Sequence, residues 1–153
     1  MMKFNSQNSF SLIELLIVIA VIGILALLAM PALKGFQSTL GLNGTVRDLV
    51  SDLRLTQQLA ISEQVEYCLS LPDDFPSDRK YQILKCDQVD VFKEKLVSDG
   101  IIGITIIPDL SNNDIRYNPY GAVRESAQII FTNSYNEIKT VDVRPSGFVK
   151  IIN

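Results

Sequence analysis

The chain has 153 residues, 47% hydrophobic and 20% charged, which allows one folded domain plus an anchor and argues against disorder. Its formal charge is −3, from 14 Lys and Arg against 17 Asp and Glu, so it projects no basic field that would draw nucleic acid from a distance. It has no His, which removes the commonest general base and the commonest metal ligand together.

Met1 to Ser9 form a short, largely polar leader with one cationic side chain, Lys3. Phe10-Ser11-Leu12-Ile13-Glu14 follows, and from Leu15 to Leu33 every residue is apolar, Gly or Pro. A helix over Leu15–Leu33 spans roughly 28 Å, about one hydrocarbon core. A secretory signal peptide fits poorly, because the run is too long and Lys34-Gly35-Phe36-Gln37 after it offers no Ala-x-Ala-like site. An uncleaved signal anchor accounts for the run but not for Glu14. A carboxylate in the bilayer interior costs on the order of 2.5–3.5 kcal/mol. Either Glu14 reaches back to the headgroups, or it meets a cation at its own depth. A cut between Ser9 and Phe10 supplies that cation, since the new α-amine lies about one helical turn from Glu14. Paired within the chain or between staggered neighbours, the two charges would fix the register of packed helices.

Ser9, Phe10 and Glu14, with the apolar stretch Leu15–Leu28, Gly23 and Pro31, resemble the prepilin signal of type IV pilins and type II secretion pseudopilins. In that family a small residue precedes the cut, Phe opens the mature chain and Glu is its fifth residue. Gly usually stands where this chain has Ser9. The resemblance implies that prepilin peptidase removes the leader, residues 1–9, and N-methylates Phe10. It implies that residues 10–33 lie in the inner membrane as a single pass until an ATPase-driven assembly platform draws them into a filament. There Glu14 would pair with the Phe10 amine of a neighbouring pilin or pseudopilin subunit. Residues 34–153 would form the domain in the periplasm or on an extracellular filament. Gly23 also reads as a close-packing residue, and Pro31 as a kink where the helix leaves the lipid.

Beyond Leu33 the pattern turns amphipathic. Leu42, Val46, Leu49, Val50, Leu53 and Ala60 share one face, with Arg47, Asp48, Asp52, Arg54 and Gln58 largely elsewhere. One long helix is predicted over Ser11–Ser62, with Gly35, Gly41 and Gly44 weakening the join and a bend or a recap by Thr45 and Asp48 near Gly41–Gly44. Strands are predicted at Val65–Leu71, Tyr81–Cys86, Ile101–Ile107, Ala127–Thr132, Lys139–Val143 and Phe148–Ile152, with a short one at Ile115–Tyr117. Turn signals sit at Asn112-Asn113-Asp114, Asn118 to Gly121, Asn133 to Asn136 and Pro145-Ser146-Gly147. Val89–Ser98 reads equally as a short helix or a loop. The predicted class is α+β: a long N-terminal helix, transmembrane and then amphipathic, packed on an antiparallel sheet or on two. Asp48–Ile61 and Val141–Ile151 resemble the GspH/FimT family of pseudopilins and minor pilins.

Cys68 and Cys86 fall on the two arms of the first predicted hairpin. They read either as two buried thiols or as a disulfide, which an extracytoplasmic domain can keep and which is worth roughly 3 kcal/mol. Two Cys without His make no zinc site, and no nucleophile motif or phosphate loop appears, so no cofactor and no enzyme activity is expected. Asp73, Asp74, Asp78 and Asp87 lack the spacing of a calcium loop. Some FimT-like minor pilins capture DNA through a Gly-Arg-x-Arg motif. The matching residues here are Gly147-Phe148-Val149-Lys150, with Arg144 just before, so DNA contact through Arg144 and Lys150 is the weaker reading. The expected function is that of a minor pilin or pseudopilin, a non-catalytic subunit whose partners are other subunits, the peptidase, the assembly platform and membrane lipid. The alternative is a DNA-binding minor pilin acting in natural transformation.

Overall fold

The computed structural model describes residues 11–86, 88, 90–108 and 113–152, with the side chains of residues 28, 29, 31 and 32 outside that description. The first element is a helix, α1, at Leu12–Glu63, one residue displaced from the expected span. It runs unbroken through Gly41–Gly44, so the helix does not restart there. Thr45, expected as a recap, is instead buried in mid-helix. The helix stops because Gln64 takes a left-handed φ of 55°, and its side-chain amide donates to the Ile61 carbonyl at 2.6 Å.

Among the described residues eight strands follow: β1 Tyr67–Ser70, β2 Lys80–Lys85, β3 Val91–Leu96, β4 Ile101–Ile107, β5 Asp114–Tyr117, β6 Ala127–Asn133, β7 Ile138–Val143 and β8 Val149–Ile152. They form two four-stranded antiparallel sheets, ordered β3-β2-β1-β5 and β4-β6-β7-β8. The question of one sheet or two is thus answered as two, and the chain crosses between them from β3 to β4 and again on either side of β5. Phe148 falls in the turn before β8 rather than in the strand, with its carbonyl accepting from the Arg144 amide at 2.9 Å.

Val89–Ser98, read as helix or loop, contains β3. Its polarity is inverted: Phe92 and Leu96 are exposed, while Lys93 and Lys95 point to the helix. An alternating strand betrays itself when its apolar residues face the core, and here the core-side residues are lysines.

The chain divides into two units, Met1–Phe36 and Gln37–Asn153. Among the described residues, every buried core residue belongs to the second. Leu42, Val46, Leu49, Val50, Leu53 and Ala60 of α1 are buried, as their spacing predicted. They meet Tyr67, Leu69, Tyr81, Ile83, Ile115 and Tyr117 of one sheet and Ile101, Ile129, Phe131, Val141, Val143 and Val149 of the other in a single cluster. Full burial of each large aliphatic is worth about 1.5–3 kcal/mol, which is what holds helix and sheets together.

Candidate assembly interface

The carbonyl of Ser11 accepts from the amides of Glu14 at 3.1 Å and Leu15 at 3.2 Å. Ser11 therefore stands at the N-cap of α1, and Glu14 is the third helical residue, the Ser-x-x-Glu arrangement of a capping box. The carboxylate also lies near the positive end of the helix dipole. The Ser11-x-x-Glu14 spacing is legible in the sequence, and it gives Glu14 a place at the helix start besides its membrane context. Ser9 and Phe10 lie outside the described residues, as does the whole leader.

From Leu12 to Leu27, all twelve large aliphatic side chains are at least 47% exposed, and they occupy the full circumference of the helix. Among the described residues no helix is long and apolar enough to cross a membrane. The side chains of Leu28, Ala29, Pro31 and Ala32 fall outside them, and the membrane reading rests on the sequence run Leu15–Leu33.

Within the Gln37–Asn153 unit, α1 is fastened at both ends. Near its start, Ser38 Oγ and Ser134 Oγ are 3.1 Å apart, and Thr39 Oγ1 donates to Glu137 Oε2 at 2.8 Å. A Cβ on Gly41 would stand 2.7 Å from Ser98 Oγ, so this glycine is a point of close approach to the β3–β4 turn. Near the other end, Gln57 Nε2 donates to the Gly121 carbonyl at 2.7 Å. Gly121 and Gly147 both have φ of 80°, and a Cβ on Gly147 would collide with the Gly121 carbonyl oxygen and the Gln57 amide. One helical side chain thus joins a turn before β6 to the β7–β8 turn. The sequence offered no signal for Gln57 in this role.

Midway, Asp52 departs from expectation. The spacing sets it largely off the apolar face, yet it is 3% exposed. Its carboxylate accepts from Tyr81 Oη at 2.7 Å and from Lys93 Nζ at 2.5 Å. Burial and the bond to Asp52 keep the Tyr81 hydroxyl protonated far above the ordinary phenol range. One turn earlier, Asp48 pairs with Lys95 at 2.8 Å. These two ion pairs lay the inverted strand β3 along the helix.

Cys68 and Cys86 are joined, with sulfurs 1.96 Å and Cα atoms 5.1 Å apart, tying the middle of β1 to the residue after β2. Arg144 and Lys150 are brought together, but around a carboxylate. Asp142 lies opposite Lys150 across β7 and β8, and its Oδ2 is 3.2 Å from Arg144 Nε. The Arg144 guanidinium also sits over the Phe148 ring, 5.8 Å from its centroid. Asp73 accepts from Asn113 Nδ2 at 2.9 Å and Asp78 from the Lys80 amide at 3.0 Å, which are turn contacts. Asp87 lies outside the described residues, among which no group of three or more Cys, Asp or Glu is placed to hold a metal ion.

The model of the prokaryotic N-terminal methylation motif matches residues 4–30. No curated protein matches the chain in sequence. Among solved structures, the type IV minor pilin FimU of Pseudomonas aeruginosa superposes with a TM-score of 0.63 at 9% identity, over 77% of this chain and 92% of that one. A second crystal form of FimU gives 0.59 at 8% identity, over 72% and 92%. The minor pseudopilin EpsH from the type 2 secretion system of Vibrio cholerae gives 0.54 at 13% identity, over 69% and 91%. At such identities the likeness is one of fold. The chain thus carries an N-terminal methylation motif over residues 4–30 and shares its fold with a type IV minor pilin and a minor pseudopilin.

Proposed function

We propose that the chain is a non-catalytic subunit of a type IV pilus or a type II secretion pseudopilus, and that it assembles through packing of its N-terminal helix. The observation that carries this is the unpartnered stretch Leu12–Leu27 directly within the methylation motif. Each of its large aliphatics gains about 1.5–3 kcal/mol on complete burial, and none is buried in the isolated chain. An apolar surface around the whole helix needs lipid before assembly and neighbouring helices after it. The order of events follows. The helix resides in the inner membrane with the Gln37–Asn153 unit outside the cytoplasm. Prepilin peptidase cuts between Ser9 and Phe10 and methylates the new amine. The assembly platform then moves the subunit into a filament, where Glu14 pairs with the Phe10 amine of a neighbour.

DNA capture is not adopted as a second reading. Asp142 is paired with Arg144 and lies opposite Lys150 in the strand register, and the chain as a whole is acidic. Each phosphate contact needs a free cation, and Arg144 is already held by Asp142.

Glu14→Gln is the decisive substitution. Glutamine serves a capping box as well as glutamate does, so the helix start is kept while the charge is removed. Membrane insertion should be intact, with a mature chain beginning at methylated Phe10 by mass spectrometry. Incorporation into filaments should drop at least about tenfold, because a neighbour's amine is left unpaired in apolar surroundings at a cost of order 2–3 kcal/mol. Normal incorporation of the glutamine variant would refute the charge-pairing step.

A further inference from the structure

The outward face of α1 within the Gln37–Asn153 unit is a stripe of Leu40, Gly44, Arg47, Ser51, Arg54, Gln58 and Ile61, all exposed. Its members recur in alternating steps of four and three, the spacing of a seam that packs against another helix. Two observations set it apart from an ordinary solvated face. The first is Gly44. A glycine in a helix interior is unfavourable relative to alanine, and a Cβ there would meet nothing within 4 Å, so no contact inside the chain calls for it. Gly41, three residues away, is accounted for by Ser98. The second is charge. The acidic residues bordering the stripe are already held by strand lysines, Asp48 by Lys95 at 2.8 Å and Glu63 by Lys85 at 2.7 Å. Among the described residues neither Arg47 nor Arg54 makes an ion pair, in a chain with more acids than bases.

We propose that this stripe docks a helix of a different pilin-like subunit, one that presents two carboxylates about two helical turns apart. The inference rests on the assembly reading above and adds a choice of neighbour. Arg47 and Arg54 are seven residues apart, roughly 10 Å along the axis, which sets the carboxylate spacing on the partner. Gly44 lets the partner's backbone approach beside Leu40, as a small residue does at a helix crossing. A second copy of this chain is a poor occupant. Its equivalent stripe carries two cations and no acid, so copies meeting along it repel at any stagger.

The test is site-specific photo-crosslinking of the full chain in cells. One photoreactive residue replaces Ser51, between the two arginines, and in a separate strain another replaces Ile17. The Ser51 position should yield an adduct with a different subunit, whose linked peptide carries acidic residues two turns apart. Arg47→Glu/Arg54→Glu should lower that yield at least about tenfold, as expected when paired charges are reversed, whereas Arg47→Lys/Arg54→Lys retains it. Gly44→Leu should also lower the yield while leaving the melting temperature of the chain equal or higher, a combination that a solvated face does not produce. An adduct between two copies, or a yield indifferent to charge reversal, would overturn the proposal. So would loss of the Ser51 adduct alone with the Ile17 adducts intact, which leaves assembly standing. Loss at both positions overturns the assembly reading as well.

Discussion

Asp52→Ala tests whether the helix and the first sheet are joined by the buried carboxylate. The substitution strips the acceptor from the Tyr81 hydroxyl, whose residue is 2% exposed and so has no water to turn to. Leaving such a donor unsatisfied costs about 1–3 kcal/mol. Lys93 loses its partner too, but its side chain is 39% exposed and can swing into solvent, so it adds no more than about 1 kcal/mol. The expected loss is therefore about 1–4 kcal/mol, or roughly 4–16 °C in melting temperature for a unit of this size. Urea and thermal denaturation of the Gln37–Asn153 unit, which holds the whole buried core, measure it directly. Asp52→Asn keeps an oxygen for Tyr81 and should lose only about 1 kcal/mol. In a double-mutant cycle, Asp52→Ala with Tyr81→Phe should cost about 1–2 kcal/mol less than the two separate losses combined, because the hydroxyl that alanine orphans is gone. A loss below about 0.5 kcal/mol for Asp52→Ala, typical of surface positions, or strict additivity in the cycle, would refute the reasoning.

Gly147→Ala should destabilise the same unit by about 2–4 kcal/mol, since alanine is strained at that φ and its Cβ runs into Gln57 and the Gly121 carbonyl. Gln57→Ala in the same background should restore part of the loss in denaturant melts. Alkaline stability should be governed by Tyr81 and Tyr117, both held protonated by burial above the ordinary phenol range. Their folded values exceed the unfolded value of about 10, so their contribution is complete below that pH and is lost as pH rises past it. Circular dichroism followed against tyrosinate absorbance should show unfolding and ionisation together, and Tyr117→Phe should move the transition to higher pH. Because the Tyr117 hydroxyl is buried with no partner among the described residues, that substitution should also raise stability near neutral pH.

The elements the sequence made legible are those in which one physical signal acted alone. The helical face of Leu42, Val46, Leu49, Val50, Leu53 and Ala60 was read from spacing because all six are apolar and all six are buried. β4, β6 and β7 were found for the same reason, as runs of β-branched and aromatic residues bounded by turns. β3 was not found, because two signals opposed each other there. Its lysines face inward to meet Asp48 and Asp52, and its Phe92 and Leu96 face outward, so the pattern that marks a core strand is reversed. Asp52 was misplaced by the other half of the same contact. A carboxylate on a helix is assigned to solvent unless its partner is known, and the partners, Tyr81 and Lys93, lie far along the chain. The helix end was read one residue early, at Ser62, and its left-handed stop is Gln64, where glycine is the usual marker.

The candidate interface shows the same limit from the opposite side. In the sequence, Arg47, Asp48, Asp52, Arg54, Lys93 and Lys95 are six equivalent charges, any of which reads as solvated. Folding divides them. Asp48 and Asp52 are consumed by Lys95 and Lys93, and of these six what is left over is two arginines of one sign in a single line on α1. Pairing inside the chain is thus what makes the unpaired pair visible. The apolar segment needs no such subtraction, because twelve exposed aliphatics from Leu12 to Leu27 demand burial whatever the rest of the fold does. The two surfaces accordingly carry different information. The apolar one states that the helix must be covered, and lipid or any apolar helix satisfies it. In the proposed docking, the arginine stripe would discriminate between neighbours, since a wrong partner leaves two cations facing nothing or facing like charge. In the proposed assembly, the first surface would supply stability and the second would set the subunit's place.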